Sequence, residues 1–138
     1  GLPEVKLGIM PGAMGTQNLP RAVGIRKAKE MIFTGEILAA EEAFRLGLIS
    51  RLYTKDNLLP KTIAVAKTIS RNAPLSVAAA KRAINFSAAA PLINPSSDGN
   101  MSGYDFEIKQ YNQLINTQDR IEGVDAFNKK RTPEFKGK

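Results

Sequence analysis

Residues 2–24 read LPEVKLGIMPGAMGTQNLPRAVG, and the fold turns on how they are taken. From Pro3 to Ile9 the pattern alternates, with Val5, Leu7 and Ile9 on one face, as a β-strand requires. Pro3 suits the first residue of a terminal or edge strand. Pro11-Gly12-Ala13-Met14-Gly15 then breaks the chain, and Thr16 or Asn18 is available to cap a following helix. Glycines at 8, 12 and 15 permit left-handed backbone or the close approach of a ligand. A loop feeding a helix gathers unpaired N–H groups, which suit an anion or an oriented water. Glu4 lies one short strand upstream, and a carboxylate facing backbone donors in a dry cleft is a workable general acid or base. On spacing alone the plainer reading, a solvent-facing glutamate before a glycine turn, is favoured. The stretch is not a P-loop, since the Gly-Lys-Ser/Thr ending is missing, and it holds no G-x-G-x-x-G fingerprint.

Outward from this stretch the chain turns helical. Ala22–Phe33 has helical spacing (Val23, Ala28, Met31, Ile32) and stops at Gly35. Ala40–Leu46 forms a short helix closed by Gly47, and Leu48–Tyr53 reads as a short strand. Asp56 can cap a helix to about Arg71, with Leu59, Ile63, Ala66 and Ile69 on one face and Pro60 near its first turn. Pro74 opens a further, amphipathic helix, Leu75 to about Ala88. Residues 89–103, AAPLINPSSDGNMSG, read as a mobile loop. Helices over Tyr104–Ile115 and Gln118–Lys130 follow, and the basic tail RTPEFKGK is irregular. One strand cannot form a sheet, so either this region sheds its strands entirely or they pair with chain outside these residues, and the order points to the second.

With 138 residues the chain has room for one domain and a core. It holds no Cys and no His, which removes the usual zinc ligands, thiol nucleophiles, disulfides and His-based triads. Proton transfer is left to carboxylates, Lys, Tyr, hydroxyls or water. Lys+Arg 20 against Asp+Glu 13 gives a net charge of +7. That favours anionic partners, among them phosphorylated cofactors, nucleic acid and anionic membrane surfaces, without choosing between them. No apolar run approaches the roughly 20 residues of a spanning helix. The first residues match neither a signal peptide nor an Arg- and Ser-rich transit segment.

Residues 3–24 together with AKEMIFTGEILAAEEAFRLGLISRL (28–52), NAPLSVAAAKRAIN (72–85) and DRIEGVDAFNKKRTPEF (119–135) resemble the crotonase (enoyl-CoA hydratase/isomerase) superfamily. The resemblance covers nearly all of this chain and about the C-terminal half of a family member. Within it, KEMIFTG and the ending RTPEFKGK lean toward the branch that includes methylglutaconyl-CoA hydratase. It implies an α/β, crotonase-like spiral fold. Residues 1–55 would supply its last core strand, glycine loop and helices, and residues 56–138 a helical oligomerisation region. It implies hydration of 2-enoyl-CoA thioesters, with coenzyme A carried by the substrate and no separate cofactor. Glu4 matches a catalytic glutamate that delivers the proton to the α-carbon, and the Gly12 N–H a position that holds the attacking water. Tyr111 and Lys130 match positions approaching the adenine and phosphates of coenzyme A. Glu122 reads better as a helix-terminus residue than as a catalyst.

The family's oxyanion hole, its other catalytic glutamate and most of the CoA pocket belong to the N-terminal half. This chain is therefore expected to act only with that half or with other subunits, as a trimer or hexamer. Fatty acid β-oxidation and the basic charge suggest mitochondria, and the chain does not end in the peroxisomal S-K-L signal. Two departures stand out. Met14 replaces a usual glycine, and a long side chain at positive φ costs on the order of 1 kcal/mol or more and either crowds the cleft, lowering hydration, or goes with a larger or branched acyl specificity. The loop Asn94–Gly103 is longer than usual, a neutral insertion or a docking element. Two other readings remain: a non-catalytic crotonase-derived subunit of a larger assembly, and an RNA-binding protein, although no aromatic–basic recognition motif is present.

Overall fold

A computed structural model describes residues 1–88 and 101–138. Contacts divide the chain into two compact units, Gly1–Lys61 and Thr62–Lys138. Among the described residues there is no β-strand, which corrects the two strands expected from the sequence. Glu4–Leu7 is a 3-10 helix, preceded by Pro3 and closed by Gly8 at φ 75°. The Lys6 N–H donates to the Pro3 carbonyl at 2.9 Å and the Gly8 N–H to that of Val5 at 3.2 Å. A strand without a neighbour leaves its backbone groups unpaired, and the tight turn pairs them locally. The alternation misled because it does not mark a buried face: Leu7 is 77% and Ile9 61% exposed, and Val5 alone of the three packs on the core.

The rest of the first unit is helical: α1 (Gly15–Val23), α2 (Ile25–Thr34) and α3 (Ala40–Arg45). The single helix expected over Ala22–Phe33 is two helices. Gly24, at φ 80° and ψ 155°, ends α1 and begins α2, a conformation in which any side chain is strained. Leu19, Ala28, Met31 and Ile32 form the core, with Leu2, Val5, Val23 and Leu38 against it. Burial of the Met31 side chain, 2% exposed, is worth roughly 1.5–3 kcal/mol. Gly35 ends α2 at φ 60°, and the Lys6 alkyl chain lies where its Cβ would be, 2.8 Å from that position at Cε. Beyond α3 the chain does not extend as a strand. Gly47 turns it back, and the Leu48 N–H donates to the Ala43 carbonyl at 2.9 Å.

The helix α4 (Lys55–Ser70) starts in the first unit and continues into the second, and buries none of its side chains. The helices α5 (Pro74–Ser87) and α6 (Gly103–Asn112) pack together. Phe86 and Phe106 stack with ring centroids 4.1 Å apart, and Arg82 Nε donates to Gln110 Oε1 at 2.6 Å. Ser102, placed in a loop by the sequence reading, caps α6 in a reciprocal capping box with Asp105. Residues 89–100 of the loop expected over 89–103, and with them most of the 94–103 docking candidate, lie outside the described residues. The last helix, α7 (Gln118–Asn128), is capped by Thr117.

The tail has no regular structure, as expected, yet it is held closely against α7. Buried Asp119 accepts the N–H of Lys136 at 2.6 Å and of Gly137 at 2.8 Å, while its own N–H donates to the Lys138 carbonyl at 3.0 Å. Large apolar side chains of the second unit stay exposed, among them Ile84, Ile108, Tyr111, Ile121 and Phe127.

Candidate functional site

Glu4 opens the 3-10 helix, and its carbonyl accepts the Ile9 N–H at 3.3 Å, which ties the following loop back to it. The side chain is half-buried. Its Oε2 is buried without a hydrogen-bond partner among the described residues. A buried carboxylate oxygen left unpaired costs free energy, and it remains an open acceptor, or in its acid form a donor, for a bound molecule.

The loop is anchored at Pro11, one of the most buried side chains in the chain. Gly15 sits directly over it: a Cβ there would fall 2.9 Å from Pro11 Cβ and 3.0 Å from Leu2 Cδ1. Between these anchors Gly12, Ala13 and Met14 are exposed. Gly12 is glycine for neither usual reason, since its φ is outside the left-handed region and a Cβ would meet only the Met10 carbonyl, at 3.9 Å. Its N–H donates to no group among the described residues. Met14 has φ 65°. It caps α1 through its carbonyl, which accepts from Gln17 and Asn18 at 3.1 and 2.9 Å, and its side chain makes no capping bond. Thr16 and Asn18, expected as caps, lie inside the helix.

The other two expected ligand residues belong to the second unit. Tyr111, on α6, is 66% exposed and lines a cavity of about 270 Å³ between α5 and α6, with Ala79, Ala83, Ile84, Gln110 and Leu114. Lys130 follows α7 in left-handed backbone, φ 52°, and its N–H donates to the Phe127 carbonyl at 3.2 Å. Of the run Lys129–Arg131, Lys129 pairs with Asp125 and Arg131 with Glu122 and Asp125. Lys130 has no ion pair among the described residues. Glu4, on the 3-10 helix, and Gly12, on the loop that follows it, thus lie in one unit, and Tyr111 and Lys130 share the other unit without a bond between them.

Glu122 is not a helix-end residue but sits within α7. It takes both Arg131 guanidinium nitrogens, at 2.6 and 2.7 Å, and the Glu134 N–H at 2.8 Å. The guanidinium, then the amide, hold its carboxyl down to about 2. Asp119, buried and decisive for the tail, was missed by the sequence reading. Its partners lie 17 and 18 residues away, and no local pattern announces them.

The profile of the enoyl-CoA hydratase/isomerase family matches residues 1–138. A 2,3-dehydroadipyl-CoA hydratase of Escherichia coli is 41% identical over 138 residues, covering 100% of this chain and 51% of that protein. An Arabidopsis thaliana enoyl-CoA hydratase named as mitochondrial is 42% identical over 138 residues, covering 99% of this chain and 43% of its own length. The crystal structure of an enoyl-CoA hydratase from Bacillus anthracis superposes with a TM-score of 0.91 at 40% identity, over 100% of this chain and 50% of that one. The chain spans about half the length of the relatives it matches.

Proposed function

Because the chain belongs to the enoyl-CoA hydratase/isomerase family, we propose that it is the C-terminal half of a hydratase that adds water to 2-enoyl-CoA thioesters. The observation that carries the reading is the presence, within one unit, of an unpartnered carboxylate oxygen on Glu4 in the 3-10 helix and an unengaged N–H on Gly12 in the loop that follows it. Nothing in the chain's own packing requires glycine at residue 12, so the open face over that amide is room for a group that approaches from outside.

In the proposed reaction the Gly12 N–H holds the water beside the β-carbon. The water oxygen bonds to that carbon while its proton passes to a carboxylate of the N-terminal half. The π-electrons move toward the thioester carbonyl, whose developing negative charge needs an oxyanion hole from that same half. Glu4 in its acid form then delivers a proton to the α-carbon, and the thioester carbonyl re-forms. Tyr111, exposed and flat, is the proposed adenine contact, and Lys130, with its uncommitted charge, the proposed phosphate contact. The exposed apolar residues of α4–α7 support packing into a trimer or hexamer. The basic charge and the Arabidopsis relative support a mitochondrial site.

The test is the chain assembled with its N-terminal half and assayed for loss of the conjugated enoyl thioester of crotonyl-CoA. Glu4→Gln is expected to lower kcat by about 10²–10⁴-fold while crotonyl-CoA still binds. A wild-type assembly that binds the thioester and never hydrates it would replace this reading with that of a non-catalytic subunit.

A further inference from the structure

We infer that Met14 is the specificity-determining residue of this loop, its side chain forming a wall of the acyl channel that restricts the site to short enoyl chains. The inference rests on the hydratase reading above and deepens it. In the first unit every other residue in left-handed backbone is glycine: Gly8, Gly24, Gly35 and Gly47. Met14, at φ 65°, is the exception, and strained backbone that persists at a site points to a use for the side chain that imposes it.

The side chain has no use within its own unit. It is 64% exposed, absent from the core cluster, and contributes no hydrogen bond to the cap it occupies. What distinguishes the position is its neighbour. Met14 is two residues past Gly12, so its Cα lies within about 7 Å of that of the residue proposed to hold the water. The side chain's chemistry then selects the part of the substrate it meets. An uncharged, flexible thioether matches a hydrocarbon tail and is the wrong partner for a phosphate or an adenine amine. Being long and unbranched, it takes up room beside the reacting carbons that glycine would leave empty.

The experiment compares kcat/KM for crotonyl-CoA with that for 2-decenoyl-CoA, in the wild-type assembly, Met14→Gly and Met14→Leu. Glycine fits φ 65° without strain, so Met14→Gly is expected to melt no lower than wild type. Its decenoyl-to-crotonyl ratio should rise at least about tenfold, the scale on which a pocket discriminates by hydrocarbon size. Met14→Leu, which restores apolar bulk, should hold the wild-type ratio. A ratio unmoved in Met14→Gly, or moved toward crotonyl-CoA, overturns the inference and leaves the hydratase reading standing. A wild-type assembly that hydrates neither thioester overturns both.

Discussion

Replacing Asp119 by Ala should release the C-terminal tail without unfolding α7. The Asp119 carboxylate is 3% exposed and accepts two backbone N–H groups, from Lys136 at 2.6 Å and Gly137 at 2.8 Å. Hydrogen bonds to a charged group contribute about 1.5–3 kcal/mol each, so the two together set a ceiling of about 3–6 kcal/mol. The freed amides regain water when the tail lifts, and the Asp119 N–H bond to the Lys138 carbonyl does not depend on the side chain. Both considerations place the expected loss near the floor, about 3 kcal/mol, or roughly a hundredfold in the opening equilibrium. Native-state hydrogen exchange reads it directly. The Lys136 and Gly137 amides should exchange about a hundredfold faster in Asp119→Ala, while those in the middle of α7 keep their wild-type rates. Unchanged exchange at both tail amides would refute the argument and assign the tail to the Glu122–Arg131 pair instead.

That pair carries its own prediction. Glu122 is held down to about 2 in the folded chain, first by Arg131 and then by the Glu134 N–H, against an ordinary value of 4.5. A carboxyl depressed on folding lends stability that is present above pH 4.5 and is lost as the pH falls through about 2. Asp125, lowered first by its hydrogen bond to Lys129 and then by that to Arg131, acts in the same direction. The Glu134 amide resonance should therefore titrate below pH 4.5, and Glu122→Gln should remove that titration. Met14→Gly relieves left-handed strain of about 1 kcal/mol, which corresponds to a melting point raised by roughly 2–5 °C in thermal unfolding. No gain in melting point would show that the strain is compensated elsewhere.

Two helix stops were legible because a glycine held at positive φ leaves its mark in the sequence, although Gly24, at φ 80°, was read through. Gly35 and Gly47 were read correctly and both have φ above +20°. The strand at residues 3–9 failed because alternation over a few residues is also compatible with a single tight turn, and only tertiary contact reveals that Leu7 and Ile9 face outward. Ser102 could have been found, since S-x-x-D before an apolar helix is a capping signal, but the Ser- and Gly-rich run around it reads as loop. In the candidate site the glutamate and the glycine loop were visible as residue types. That Glu4 keeps one oxygen unpaired follows from burial, which no short-range pattern encodes. The hold of Asp119 on the tail was illegible for a related reason: it joins residues distant in sequence through backbone groups that every residue possesses.

The seat of the loop has one more consequence. Pro11 is buried, and Gly15 presents no Cβ where Pro11 and Leu2 crowd in, so residues 11–15 are clamped from beneath by packing that involves no ligand. The anchors at Pro11 and Gly15 flank Gly12 on both sides and narrow its conformational freedom through folding alone. A donor already in place needs little reorganisation as charge develops in a reaction, and binding energy is then available for the substrate alone. By the same logic a methyl group added at Gly15, on the side of the loop facing the core, would disturb the amide at Gly12 from below. In the proposed hydratase, turnover would then suffer from a residue outside the reacting groups.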